Sequence, residues 1–120
     1  MEKYKIEFSK EAKDDYLNII RYIKYKLLEP TISSKYAQII KDEIERLEYN
    51  PQRFSIVDIE ISNYSNIRKL IIKNYIVFYR INENKKVVNI ERILYGASNW
   101  KDKIWYILTK YNIRKNLQNR

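Results

Sequence analysis

The chain has 120 residues, 45% of them hydrophobic, which is enough for one domain with a real core. It contains no cysteine and no histidine. Disulfides and Ser-His or Cys-His catalysis are therefore excluded, and neither a metal nor a cofactor is expected. No apolar run approaches the ~20 residues of a membrane span, and the charged start does not fit a signal peptide. The reducing cytoplasm is the default location.

The net charge of +9 is unevenly distributed along the chain. Residues 1–60 hold 11 Lys and Arg against 12 Asp and Glu, a net charge of −1. Residues 61–120 hold 13 Lys and Arg against 3 acids, a net charge of +10. Such asymmetry is typical of a protein that binds nucleic acid or an acidic protein. The alternative is a solvated, lysine-rich surface that only keeps the protein soluble.

The first predicted elements are a strand and a helix. Apolar residues alternate with charged ones over residues 4–8, which predicts a strand with one buried face. Ser9 has the position of a helix N-cap. An apolar stripe with spacings of three and four residues then continues to Leu27, and Pro30 is expected to end this helix.

A second helix is predicted to follow, with Ser33 as its N-cap and Asn50-Pro51 as its stop. Two helices so close in sequence should pack as an antiparallel hairpin. The acids of the two helices alternate with Lys and Arg and are expected to face water: Asp14, Asp15, Asp42, Glu43 and Glu45.

Three strands rich in β-branched and aromatic residues are predicted over residues 67–73, 75–81 and 87–95. A short strand over residues 56–61 is a weaker possibility. After Gly96, where the backbone can turn sharply, Ser98 is expected to cap a C-terminal helix. The apolar stripe of this helix, Trp100, Ile104, Leu108 and Tyr111, should pack on the domain, with Trp100 as a core anchor.

These elements predict an α+β fold. An N-terminal strand and a two-helix antiparallel hairpin precede a three-stranded antiparallel meander that completes one sheet, and a C-terminal helix follows. Residues 1–111 should form a single domain, and residues 112–120 a basic tail that frays.

Several segments carry a family resemblance: Tyr4–Ala12, Tyr22-Ile23, Leu47 followed by Pro51, Asn74–Arg80, and Arg92–Gly96 with Trp100. In this order and spacing they resemble the RelE/ParE superfamily of bacterial toxins from type II toxin–antitoxin systems, over residues 3 to about 102. The resemblance implies a toxin held inactive by a cognate antitoxin, which should offer an acidic, amphipathic segment.

The superfamily has two activities. RelE-like members are ribosome-dependent mRNA endonucleases, and ParE-like members poison DNA gyrase. Tyr75 stands where the nucleases usually carry an Arg, and Tyr95 stands where many ParE-like sequences carry a His. Both departures favour gyrase poisoning over RNA cleavage, because Tyr75 cannot supply a fixed cation and Tyr95 removes an obvious acid or base. A third hypothesis is a non-toxic basic module that binds nucleic acid.

The candidate target-binding residues lie in the cationic half of the chain: Arg68, Lys69, Lys73, Arg80, Arg92, Tyr95 and Lys101. If the protein is a nuclease, its catalytic candidates are Arg68, Arg92 and Tyr95. The alternative for Arg92 is an ion pair with Glu91 or Glu83, and for Lys69 and Lys73 a solvated edge charge. Charge reversal at Arg68 and Arg92 is expected to abolish activity without unfolding the protein.

Overall fold

The computed structural model describes residues 2–26, 30–57 and 66–104. Its elements in chain order are β1 (Lys5–Phe8), α1 (Lys10–Arg21), a π-helical turn (Tyr22–Lys26), α2 (Pro30–Glu45), two 3-10 turns (Arg46–Glu48 and Pro51–Arg53), β2 (Arg68–Ile72), β3 (Tyr75–Asn82) and β4 (Val87–Tyr95). A further helix, α3, begins at residue 100 and is described as far as residue 104. None of the helices in these ranges is long and apolar enough to cross a membrane.

The four strands form one sheet in the order β1-β4-β3-β2. β2, β3 and β4 pair antiparallel, which confirms the predicted meander. β1 pairs parallel to β4 at the edge of the sheet, with Lys5 opposite Val87 and Phe8 opposite Ile90. A parallel pair needs a long crossover connection, and the helical hairpin between β1 and β2 lies within that crossover.

The helical hairpin follows the predicted stripes. The Ser9 hydroxyl accepts a hydrogen bond from the N–H of Ala12 (3.0 Å), so the predicted N-cap of α1 is confirmed. Pro30 is the first residue of α2, where proline is well tolerated. Residues 27–29, where the sequence predicts the end of the first helix, lie outside the described ranges.

Ser33 does not cap α2, as the sequence predicted, but lies inside it. Its side chain is buried, and its hydroxyl donates a hydrogen bond to the carbonyl oxygen of Ile20 (2.9 Å). Ser33 therefore links α2 to α1, and this contact helps to hold the two helices together.

The sheet is covered by apolar contacts on both faces. On the hairpin face, α1 and α2 pack on buried residues of β2, β3 and β4, among them Leu70, Val77 and Ile90. On the second face, Phe78 and Leu94 pack with Ile104 and Trp100 of α3, with the Phe78 and Trp100 ring centroids 5.3 Å apart. The predicted role of Trp100 as a core anchor is confirmed.

Some predictions fall at or beyond the limits of the described residues. Ile56 forms an isolated bridge to Arg68, whereas residues 58–61 of the possible short strand lie outside the described ranges. Leu108, Tyr111 and the predicted tail of residues 112–120 lie outside them as well. Ser98 does not cap α3, because the helix begins at residue 100 and Asn99 has the N-cap position. The Ser98 hydroxyl donates to the carbonyl oxygen of Tyr95 (2.6 Å).

Tyr79 makes the free energy of unfolding depend on pH in the alkaline range. Its side chain is fully buried, and its hydroxyl donates to the carbonyl oxygen of Pro51 (2.6 Å). Burial raises the pKa of Tyr79 from 10.0 to about 12, although Arg68 and Arg53 oppose the rise. Between pH 10 and 12 the unfolded chain then binds fewer protons at this residue than the folded chain. Stability from this group is therefore complete below pH 10 and is lost as the pH rises through 12.

We expect Tyr79→Phe to lower the free energy of unfolding at pH 7 by about 1 kcal/mol, because the hydrogen bond to Pro51 is lost. The variant should also lose stability less steeply than wild type between pH 10 and 12. Urea denaturation at several pH values measures both effects. Tyr49→Phe is the matched control, since Tyr49 is exposed and should change neither quantity. An unchanged alkaline slope in Tyr79→Phe would contradict the assignment.

Candidate functional site

The side chain of Arg68 is used in hydrogen bonds that stabilise the fold. It lies opposite Tyr79 in the register of β2 and β3, and its Nη1 donates to the carbonyl oxygens of Gln52 (2.9 Å) and Phe54 (2.6 Å). These bonds tie residues 52–54 to β2. Arg68 and Lys69 point to opposite faces of the sheet, because successive strand residues alternate.

Arg92 forms an ion pair that joins two elements of the fold. Its Nε and Nη2 donate to Asp15 Oδ2 (2.7 Å) and Oδ1 (2.9 Å), which is a two-point pair. Asp15 Oδ2 also accepts from the backbone N–H of Ile93 (2.9 Å). The hydrogen bond to Asp15 raises the pKa of the Arg92 guanidinium. This contact joins α1 to β4 beyond the point where β1 ends.

The Asp15–Arg92 pair corrects two predictions. Asp15 does not face water, since its side chain is only 13% exposed and that of Arg92 is 20% exposed. The expected partners of Arg92 were Glu91 and Glu83, but each of these acids contacts other groups. Glu91 lies 3.4 Å from Nε of Arg80. Sequence spacing missed Asp15 because it is 77 residues from Arg92.

Glu83 forms a small polar network at the β3–β4 turn. It accepts hydrogen bonds from the hydroxyl of Tyr4 (2.7 Å) and from Nε2 of Gln52 (2.9 Å). The hydrogen bonds from Gln52 and Tyr4 lower the pKa of Glu83. This network joins the start of the chain to the turn and has no contact with Arg92.

Tyr95 ends β4 beside two other tyrosines. Its side chain is half-exposed, its ring centroid is 5.9 Å from that of Tyr75, and Tyr75 is 6.4 Å from Tyr36 of α2. Burial raises the pKa of Tyr75, and the neighbouring tyrosines raise it further. A polar aromatic cluster therefore forms where β3 and β4 meet the hairpin.

Gly96 allows this end of the sheet to close. Its N–H donates to the carbonyl oxygen of Asn74 (2.8 Å), and a Cβ at this position would lie 3.3 Å from the same oxygen. Gly96 lies in the turn after β4, as the sequence predicted, although its φ angle is not positive. The reason for the glycine is the close approach of its backbone to the β2–β3 turn.

An open cleft of about 710 Å³ lies between the hairpin and this end of the sheet. Four tyrosines line it, and we call it the tyrosine cleft: Tyr22, Tyr36, Tyr75 and Tyr95. Its other lining residues include Asp15, Ile32 and Asn74. Sequence analysis missed the cleft, because Tyr22 and Tyr36 come from helices whose apolar stripes were read as core. The sequence feature that could have indicated the cleft was the high number of tyrosines, 12 in the chain.

The predicted lysines are separate from this cleft. Lys69 lies opposite Phe78 in the register, on the second face of the sheet. Lys101 places its Nζ 5.8 Å from the centroid of the Trp100 ring, and that ring packs on Phe78. Lys73 is exposed at the β2–β3 turn. Within the described ranges, no carboxylate pairs with any of these three lysines, so their charges remain available to a partner.

The sheet does not bring the three catalytic candidates together. Arg68 lies opposite Tyr79 and Tyr95 lies opposite Tyr75, which are four residues apart along β3, or about 13 Å at the rise of a strand. Arg92 lies beside the register shift between β3 and β4, and its guanidinium is held by Asp15 of α1. The described residues also include no cluster of three acidic side chains that could hold a metal ion.

Comparisons with known proteins agree with this fold. A family model described as the ParE toxin of the type II toxin–antitoxin system parDE matches residues 6–100. The comparison with curated proteins gives no match.

Three solved toxin–antitoxin structures have similar folds. The chromosomal ParDE system from P. aeruginosa has a TM-score of 0.64 and 18% identity, covering 79% of this chain and 98% of that one. The RelBE2 complex from Mycobacterium tuberculosis has a TM-score of 0.58 and 20% identity, covering 82% and 97%. The archaeal RelE–RelB complex from Pyrococcus horikoshii OT3 has a TM-score of 0.53 and 16% identity, covering 79% and 97%. At these identities the likeness shows the fold alone.

Proposed function

We propose that this chain, which belongs to the family of ParE toxins of type II toxin–antitoxin systems, arrests growth by poisoning DNA gyrase. The observation that carries the choice of target is the separation of Arg68, Arg92 and Tyr95. RNA cleavage without histidine needs a cation and a proton-transfer group positioned around one phosphate. In the described residues Arg68 binds two backbone carbonyls and Arg92 binds Asp15, so neither is presented together with Tyr95.

A protein target suits the cations that remain available. Lys69 lies opposite the buried Phe78, and Lys101 lies against the partly exposed Trp100 ring that packs on Phe78, so the two lysines give this face a positive charge beside a tryptophan. Charge of this kind attracts an acidic protein surface and speeds its encounter. The protein would act in the cytoplasm, where gyrase works, and it would be neutralised by a cognate antitoxin whose acidic segment complements the +10 half of the chain.

The target can be decided with purified protein. We expect incubation with gyrase, ATP and plasmid to trap cleaved plasmid, and incubation with programmed ribosomes to leave the mRNA intact. Cuts in the mRNA at the ribosomal A site with untouched plasmid would contradict the proposal and indicate a ribosome-dependent endonuclease. A chain that binds DNA or RNA with a steep salt dependence but never arrests growth would indicate a non-toxic binding module.

A further inference from the structure

The tyrosine cleft has the features of a recognition site. Lys69 and Lys101, which form the candidate target surface, do not line it, whereas Tyr95 does. Tyr22, Tyr95 and Ile32 leave 54%, 52% and 43% of their surfaces exposed. A protein without a partner has no need for large apolar side chains at exposed positions such as these. Contiguous exposed apolar surface marks interaction sites, and tyrosine is enriched among the residues that dominate binding energy.

The floor of the cleft is apolar, whereas its rim is polar. Buried Ile19, Ile23 and Ile93 line its floor, so an entering group must be apolar to replace water there. Asp15 is the one acid among the described lining residues, and its carboxylate is already bonded to Arg92 and to the N–H of Ile93. The tyrosine hydroxyls at the rim provide polar contacts of the kind found where one end of a ring is apolar and the other wet.

The stretch of sequence that supplies Tyr22, Ile23, Ile32 and Tyr36 to the cleft is basic. Residues 21–41 contain five Lys and Arg and a single acid, Glu29, for a net charge of +4, although Lys41 lines a separate pocket beside β1. Lys73 adds a further exposed charge beside Asn74, which lines the cleft. The N-terminal half of the chain is neutral only as an average, because its other acids lie outside this segment. An occupant of the cleft should therefore be acidic around an apolar or aromatic anchor.

We propose that the tyrosine cleft is the docking site for the antitoxin, which inserts apolar side chains from an acidic segment between the hairpin and the end of β4. The proposal rests on the antitoxin partner but not on gyrase as the target. A peptide fits the cleft better than a nucleic acid does, because its aliphatic side chains can cover the floor of Ile19, Ile23 and Ile93. The Asp15 carboxylate does not repel the acids of such a peptide strongly, since it is already paired with Arg92.

The test compares two pairs of substitutions that make the same chemical change. Tyr22→Glu with Ile32→Glu places two acids in the cleft, at exposed positions outside the candidate target surface. Tyr25→Glu with Ile71→Glu is the control, since both residues are 65% exposed and neither lines the cleft. The binding probe is the purified protein encoded by whichever small open reading frame beside the toxin gene restores growth.

We expect the cleft pair to arrest growth as wild type does, to escape rescue by the antitoxin, and to bind it at least 100-fold more weakly in calorimetry. The control pair should be rescued and should bind within about threefold of wild type. Equal rescue and equal affinity of the two pairs would overturn the proposal. So would a folded cleft variant that no longer arrests growth, because the cleft would then contact the target.

A nucleic-acid site would be recognised by a different result. If the cleft pair keeps its antitoxin affinity but loses binding to a fluorescein-labelled 12-nucleotide oligothymidylate, the cleft binds nucleic acid and the proposal is wrong. Should the pair fail to fold, Ile32→Glu alone is measured in the same way. If the protein does not act on gyrase, the proposed target is refuted. The binding test still decides whether the antitoxin docks in the cleft. If no neighbouring gene product binds the wild-type chain, the antitoxin partner and the docking site are both refuted.

Discussion

Arg92→Glu is expected to lower the free energy of unfolding by more than about 3 kcal/mol, because it breaks a largely buried ion pair and leaves two acids facing each other. The wild-type guanidinium makes bonds of 2.7 and 2.9 Å to Asp15. These bonds disappear, and the Asp15 carboxylate keeps only the N–H of Ile93. For a domain whose total stability is in the range of about 5–15 kcal/mol, this is a large fraction. Urea denaturation followed by circular dichroism measures it.

Arg46→Glu provides the matched control for this reversal. Arg46 also pairs with an acid, since its Nη1 is 2.8 Å from Oε1 of Glu43, but its side chain is 68% exposed. Exposed pairs contribute about 0–1 kcal/mol, so the control should lose little stability. Asp15→Asn should destabilise the protein as well, and combining it with Arg92→Glu should cost less than the sum of the two changes. If Arg92→Glu and Arg46→Glu have equal effects, the Asp15–Arg92 pair does not hold α1 to β4.

The order and type of the elements could be predicted from local patterns. The strands β3 and β4 and the N-cap at Ser9 depend on residues close together in the chain, and they were confirmed. The residues from Ile76 to Tyr79 do not alternate in burial, because both faces of the sheet are covered. The parallel pairing of β1 with β4 joins residues about 80 positions apart, so no local period indicates it. The hydrogen bond from Ser33 to Ile20 depends on how the two helices pack, and a serine near Pro30 gives the same local signal as a helix cap.

The candidate site was predicted less well, because sequence identifies charge but not the partner that neutralises it. The net charge of residues 61–120 correctly indicated a cationic half. Within it, Arg68 and Arg92 were chosen because arginine binds anions well. The same property suits arginine to internal contacts with carbonyl and carboxylate oxygens, and the fold uses both residues in that way. Lysines at a turn or on a strand face remain exposed more often, because the ammonium group is strongly hydrated.

Reversal of two lysines is therefore a cleaner test of the target surface than reversal of the two arginines. At Arg68 and Arg92 a loss of activity would also follow from a loss of structure, which corrects the expectation that these reversals leave the fold intact. Lys69→Glu with Lys101→Glu is expected to abolish growth arrest, because it replaces the positive charge beside Trp100 with negative charge. The two exchanges change the net charge from +9 to +5. Each should alter stability by no more than about 0.5 kcal/mol.

Lys13→Glu with Lys41→Glu makes the same change in net charge at exposed positions of α1 and α2. We expect this control pair to arrest growth as wild type does, because neither lysine lies on the second face of the sheet. Colony counts after induction, together with gyrase-dependent plasmid cleavage by the purified variants, measure the effect. Equal loss of activity in the two pairs would mean that net charge alone matters. Full activity of the Lys69 and Lys101 pair, with its fold confirmed by denaturation, would place the target surface elsewhere on the protein.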